Sequence, residues 1–248
     1  MYHFKYVSKN AAAPFKNELI KFIKSVQNSV RDDFTFQFTF IGSSSRNMIT
    51  YDPETNIGFD FDVNITVNVE DENYTAEEIR TVLFNAFRKN MCNYGYNKCE
   101  QSTRVITVKK ISYGFSRIEY SCDFAVVYEG HAGQHYIRYN KRNNNYSWEY
   151  QEQPYSELEK YADRLRENGY WEEVRNIYLK KKNNNTNPDK HSRSLYAEAV
   201  NECYGRHFNQ TNAFQPLQKK QTDEIMNNWL CSSRSKTAAR LSGGKSVK

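Results

Sequence analysis

Asp60 and Asp62, in the stretch "GFDFDVNITVNV", stand one residue apart in an alternating pattern. Phe59, Phe61, Val63 and Ile65 alternate with Asp60, Asp62, Asn64 and Thr66, which predicts a half-buried strand with both acids on its polar face, about 7 Å apart. Taken alone, two solvated acids on an exposed strand face explain this pattern equally well. A second alternation changes the weighing. In "SRIEYSCDFAVVY" the apolar Ile118, Tyr120, Cys122, Phe124 and Val126 alternate with Arg117, Glu119, Ser121 and Asp123. If the two strands lie side by side, three carboxylates converge. Their mutual repulsion, on the order of 1 kcal/mol per pair in water and several in a partly buried site, calls for a cation. Hard Mg²⁺, or Mn²⁺ in its place, takes carboxylate oxygens together with substrate phosphates. Two such ions activate an attacking hydroxyl and stabilise a leaving pyrophosphate oxygen.

A phosphate partner for these acids lies upstream, in "FIGSSSRNMITYD". Gly42 allows close backbone approach, Ser43 and the following N–H groups can open a short helix aimed at a phosphate, and Arg46 adds charge. Other motifs carry less. His131 and His135, four apart in a Gly-containing loop, lack a nearby acid or helix to fix them as a metal pair. "LSGGKS" has Ala239 where a P-loop needs its first glycine, and no strand precedes it. Cys122 is expected in the core as a small hydrophobe, and Glu119 on the polar face near the acids. Tyr146 and Trp148 fit packing better than base stacking, and "KKKNNN" reads as a solvated loop.

The chain has 248 residues, enough for one large or two small domains with a real core. Its apolar share of 38% is low, but 19 Tyr and 15 Phe add area, and the charged share of 26% with periodic apolar segments excludes a disordered chain. A net charge of +6 suits a polyanionic partner, although residues 232–248 hold five basic and no acidic residues. Five cysteines without a CxxC pair indicate neither a disulfide framework nor a zinc ribbon. No signal-like or membrane-spanning run appears, so a cytoplasmic protein is expected, with no membrane partner.

The elements that must position these residues follow from pattern. A helix is expected over 14–31, with Pro14 near its start, then a strand carrying Phe34, Phe36, Phe38 and Phe40 on one face and ending at Gly42. The acid-bearing strand covers 59–69. Thr75 and Glu78 form a capping box for a helix over 75–91. Strands follow at 103–112, 115–128 and 134–140, and then helical periodicity at 155–180 and 189–204, with a last short helix over 220–231. The division expected is a palm domain over 1–150, a helical lobe over 151–231 and a disordered basic tail over 232–248.

At Ile41-Gly42-Ser43, Asp60-x-Asp62 and Asp123 the sequence resembles the polymerase-beta-type nucleotidyltransferase superfamily. The interval from Asp62 to Asp123 is similar to that of the oligoadenylate-synthase and bacterial cyclic-oligonucleotide-synthase branch. The resemblance implies an α+β fold, a mixed-sheet nucleotidyltransferase palm backed by helices, with a C-terminal helical lobe closing the nucleotide cleft. It implies transfer of NMP from an NTP, ATP in the first instance, to an acceptor hydroxyl, with pyrophosphate release. Asp60, Asp62 and Asp123 would be the metal-binding and catalytic acids. Gly42, Ser43 and Arg46 would bind nucleotide, as would Lys190 and Ser194 in "DKHSRSLYAEAVNECY", with Tyr196 near the base. A nucleotide second messenger is one product; RNA is one candidate acceptor. RNA or protein modification of a toxin–antitoxin kind, or nucleotide or RNA binding without catalysis, are the alternatives.

Overall fold

The structure is a computed structural model that describes residues 2–55, 57–68, 74–112, 114, 117–130, 133–151, 156–187 and 189–208. Residues 1–203 make one compact unit and 204–248 a second, of which only 204–208 are described. The expected helix over 220–231, the basic tail and His131 lie outside the described residues.

The first long helix, α1 (Lys9–Ser29), starts before the expected Pro14. Ser8 caps it by accepting the Ala11 N–H, and the alanines at 11–13 extend the helix so that Pro14 is carried inside. Before it lies a two-residue strand, β1 (Lys5–Tyr6). After it come β2 (Thr35–Ile41), the single turn α2 (Gly42–Ser45), β3 (Thr50–Tyr51) and β4 (Phe59–Asn68). Helix α3 (Ala76–Asn90) has the expected capping box, with the Glu78 carboxylate accepting from the Thr75 N–H and the Thr75 hydroxyl accepting from Glu78 N–H. A 3₁₀ turn at Met91–Tyr94 leads to β5 (Lys98–Gln101), β6 (Val105–Ser112), β7 (Arg117–Gly130), β8 (Gly133–Asn140) and β9 (Asn145–Tyr150).

The main sheet has seven strands in the order β2-β4-β7-β6-β5, with β8 added on the far half of β7 and β9 on β8. Only β4 and β7 run parallel, so the sheet is mixed, as the fold class implied. The even positions of β7 and the odd positions of β4 face α1 and α3. Phe61, Val63, Ile65, Tyr120, Cys122, Phe124 and Val126 are buried there against Leu19, Phe22, Ile23, Ile79, Leu83 and Phe87. The rings of Phe22, Phe87 and Phe124 meet at 4.4–6.5 Å between centroids and join both helices to the sheet.

Strand β9, not expected from sequence, follows a turn at 141–144: Tyr146 stacks on Tyr139 at 4.5 Å and Trp148 packs against Tyr128. Both rings therefore serve packing. The helical segment expected over 155–180 is two helices, α4 (Ser156–Glu167) and α5 (Trp171–Asn183). Gly169, at φ +80°, ends α4 in a left-handed cap whose amides return to Arg164, Leu165 and Arg166 carbonyls nearby. Helix α5 runs on through Lys180, Lys181 and Lys182, so the run read as a solvated loop is largely the last turn of a helix. The final helix, α6 (Ser192–Phe208), completes the described chain.

Candidate active site

Strand register places the acids on a small grid. Asp62 lies opposite Asp123, which lies opposite Thr107; one pleat away, Asp60 lies opposite Ser121, which lies opposite Lys109. Adjacent strands are about 4.8 Å apart and alternate residues about 7 Å apart along a strand, so β4 and β7 bring all three carboxylates to one patch of the polar face, with Thr107 and Lys109 of β6 beside it. Each acid is held by a neighbour. The Ser121 hydroxyl donates to Asp60, and the Thr107 hydroxyl donates to Asp123 at 2.5 Å. Asp62 abuts the α2 turn at Gly42.

Gly42 has a second, structural role. Its φ is +64°, and a Cβ there would collide with the Asp62 carboxylate. The glycine is therefore required by the approach of Asp62 to the α2 turn, whose Ser43 backbone opposes the rise of that acid's carboxyl pKa. Ile41 of β2 is the register partner of Asp62, so the turn sits directly beside the acids.

Electrostatics agree with the geometry. Asp60 keeps an exposed side, yet desolvation, and then the charges of Asp123 and Asp62, push its carboxyl up to about 7, against opposing pulls from Lys182 and Lys109. Asp62 is raised by desolvation and Asp123, with Arg46 and Lys182 opposing. Asp123 is raised by desolvation, while the Thr107 hydrogen bond and Lys109 hold it down. Crowded carboxylates with raised pKa values mark functional sites. Three carboxylates, without sulfur or imidazole among them, suit a hard divalent cation completed by phosphate oxygens.

Besides Lys109 of β6, two cations act on the acids, one expected and one unexpected. Arg46, expected, stacks its guanidinium over Tyr196 of α6 at 4.1 Å and lies 3.4 Å from Glu159 of α4. Lys182 of α5, unexpected, donates to the Thr50 hydroxyl at 2.6 Å. Burial pulls its ammonium down to about 8, while Asp60 and Asp62 pull it back up. Lys190 instead pairs with Glu198 at 2.6 Å, and Ser194 is exposed in the first turn of α6. Their geometry joins neither of them to the acids. Lys182 was hidden in sequence by the polar run around it; its only signal was that a lysine ends a segment with apolar periodicity. Glu119 lies two residues below Ser121 on β7, 3.7 Å from Lys110. A cavity of about 900 Å³ lined in part by Phe15, Tyr51, Phe59 and Glu119 opens at the foot of the sheet, and none of the three aspartates lines it. His135 stacks on Tyr128 at 5.1 Å, as packing.

No protein-family model and no curated protein matches the chain in sequence. Solved structures do match in fold. Vibrio cholerae DncV in its GTP-bound form superposes with a TM-score of 0.52 at 15% identity, over 81% of this chain and 52% of that one. The same protein, the di-nucleotide cyclase DncV, in complex with GTP and 5MTHFGLU2 gives 0.51 at 14% identity, over 81% and 55%. A third structure of DncV, named a cyclic AMP-GMP synthase and bound to the linear intermediate 5' pppA(3',5')pG, gives 0.51 at 13%, over 81% and 54%. The chain spans about half the length of this protein. Its fold is that of the polymerase-beta-type nucleotidyltransferases, the fold its Gly-Ser and three-aspartate pattern implied.

Proposed function

We propose that this chain is a metal-dependent, template-independent nucleotidyltransferase that moves NMP from an NTP to an acceptor hydroxyl. The observation that carries the reading is the register that aligns Asp62 with Asp123, and Asp60 with Ser121, beside the Gly42–Ser43 turn. Asp60, Asp62 and Asp123 would hold Mg²⁺ or Mn²⁺ together with the NTP phosphates; bound there, the cation would offset the three carboxylates and the charge of the leaving pyrophosphate.

The chain's own residues account for the rest. Lys182 and Arg46 supply positive charge on one side of the acids, where the triphosphate binds, and the Ser43 region supplies backbone donors. Asp123, fixed by Thr107, acts as, or orients, the base that takes the proton of the acceptor hydroxyl. That oxygen bonds to the α-phosphorus as the bond to the bridging oxygen breaks, and the electron pair leaves with pyrophosphate. Ser121 fixes Asp60 in the orientation that this requires. Lys190 and Ser194 would act only after a rearrangement that frees Lys190 from Glu198. The palm, helical lobe and basic tail keep the boundaries proposed from sequence.

For the product, a nucleotide second messenger is the reading we favour, because DncV, a protein of the same fold, is named as a di-nucleotide cyclase and cyclic AMP-GMP synthase. The test is incubation with labelled ATP and GTP, with Mg²⁺ or Mn²⁺ and with or without RNA, followed by thin-layer separation. Products that need Asp60 and Asp62 support the reading. Nucleotide binding without turnover under any metal would instead identify a non-catalytic relative.

A further inference from the structure

Lys182 owes its position to a segment some 175 residues away in sequence. Asn183, its neighbour at the end of α5, grips the backbone of Phe4 twice: the Phe4 N–H donates to Asn183 Oδ1 at 2.6 Å, and Asn183 Nδ2 donates to the Phe4 carbonyl at 3.2 Å (|i−j| = 179). The side-chain amide thus takes the place a neighbouring strand would have. The Phe4 ring lies beneath the Lys182 ammonium at 4.3 Å. Thr50, which accepts from Lys182, is the register partner of Tyr6 in the small β1–β3 ribbon.

The rest of this N-terminal strap is pinned just as closely. The His3 N–H donates to the wholly buried Asp52 at 2.9 Å, and the Val7 N–H to the Ile49 carbonyl at 2.9 Å. Further up α5, the Tyr6 hydroxyl donates to the Arg175 carbonyl at 2.6 Å and the Arg175 guanidinium covers the Tyr6 ring at 4.3 Å. A lysine at a helix end samples many rotamers. Here a ring, a hydroxyl and a doubly anchored neighbour restrict it, and the strap provides or supports each.

We propose that Asn183 and residues 2–7 form a positioning device for Lys182, which makes the N-terminal strap part of the nucleotide site although it touches none of the acids. This rests on the role given to Lys182 above. Asn183 is a positioning residue: it acts through Lys182, so its loss weakens nucleotide binding and leaves the chemical step nearly intact.

The test uses the full chain and two readouts. The first is calorimetric affinity for the Mg²⁺ complex of a non-hydrolysable ATP analogue. The second is the rate at which an amine-reactive ester acylates Lys182 in nucleotide-free protein, read by mass spectrometry. Asn183→Leu keeps the volume and removes both amide bonds; we expect affinity to fall about three- to tenfold and Lys182 acylation to rise by a similar factor. In a Lys182→Ala background the same change should cost no further affinity. Unchanged affinity and unchanged acylation would overturn the proposal, as would effects of the two substitutions that simply multiply. If Asn183→Leu fails to fold, Phe4→Leu keeps the backbone bonds and removes the ring; an expected loss of about two- to fivefold, again absent in the Lys182→Ala background, decides instead. If the wild type binds no nucleotide, the functional reading fails, and the acylation comparison alone decides the strap.

Discussion

The two faces of β4 do opposite work. On one, Phe61, Val63 and Ile65 are buried against α1 and α3 and hold the sheet together. On the other, Asp60 and Asp62 stand beside Asp123, where repulsion and desolvation raise their carboxyl pKa values, so as charged groups they oppose folding. A fold gains nothing from that second face unless it has work to do. The apolar face explains why the chain adopts the fold; the acidic face carries the function we propose for it.

The contrast can be broken first on the apolar face. Phe61 is fully buried and meets the rings of Phe40 and Phe59. Phe61→Ala should cost about 3–5 kcal/mol of stability in chemical denaturation, whatever divalent cation is present. On the polar face the larger effects are on function. Lys182→Ala should raise KM for NTP about 10- to 100-fold, the worth of a charge-assisted contact, with a smaller change in kcat. Thr107→Val, which removes the hydroxyl that orients Asp123, should lower kcat about tenfold or more with little change in KM.

The smallest effect sharpens the comparison most, because its sign is opposite. In metal-free protein Asp60 keeps its proton up to about pH 7, well above the model-peptide carboxylate value of 3.8. Between those limits the folded state binds more protons than the unfolded one, so its stability falls as pH rises. Asp60→Asn should flatten that slope and raise Tm at pH 7.5 without divalent cation. Added Mg²⁺ should remove the difference. A melting series against pH, with and without the metal, checks this.

Much of the site was legible because it lies on strands of strict alternation. A period of two states which residues share a face, and the Gly42 turn does lie beside Asp62. The convergence of the acids was conditional on the strand around Asp123 lying beside β4; β7 does pair with β4, and the register sets Asp62 opposite Asp123. What escaped was set by long-range contact. Lys182 lies in a run of polar residues, and its place depends on Thr50 and Phe4. Lys190 and Ser194 were drawn from a resemblance over a weakly patterned helix, and local pattern could not show that Lys190 meets Glu198. The break at Gly169 was missed because apolar periodicity resumes after it. Strand β9 was missed because its Asn-rich approach reads as a turn.

The central claim is that Asp60, Asp62 and Asp123 form one divalent-cation and nucleotide site. It is tested most directly by titrating a non-hydrolysable NTP into wild type and into Asp60→Asn/Asp62→Asn, with and without Mg²⁺, near pH 8. We predict binding by wild type that depends on Mg²⁺ and is lost in the double variant, although that variant folds at least as stably. Binding by the double variant as tight as that of wild type with Mg²⁺ present, or no binding by wild type at all, would contradict the account.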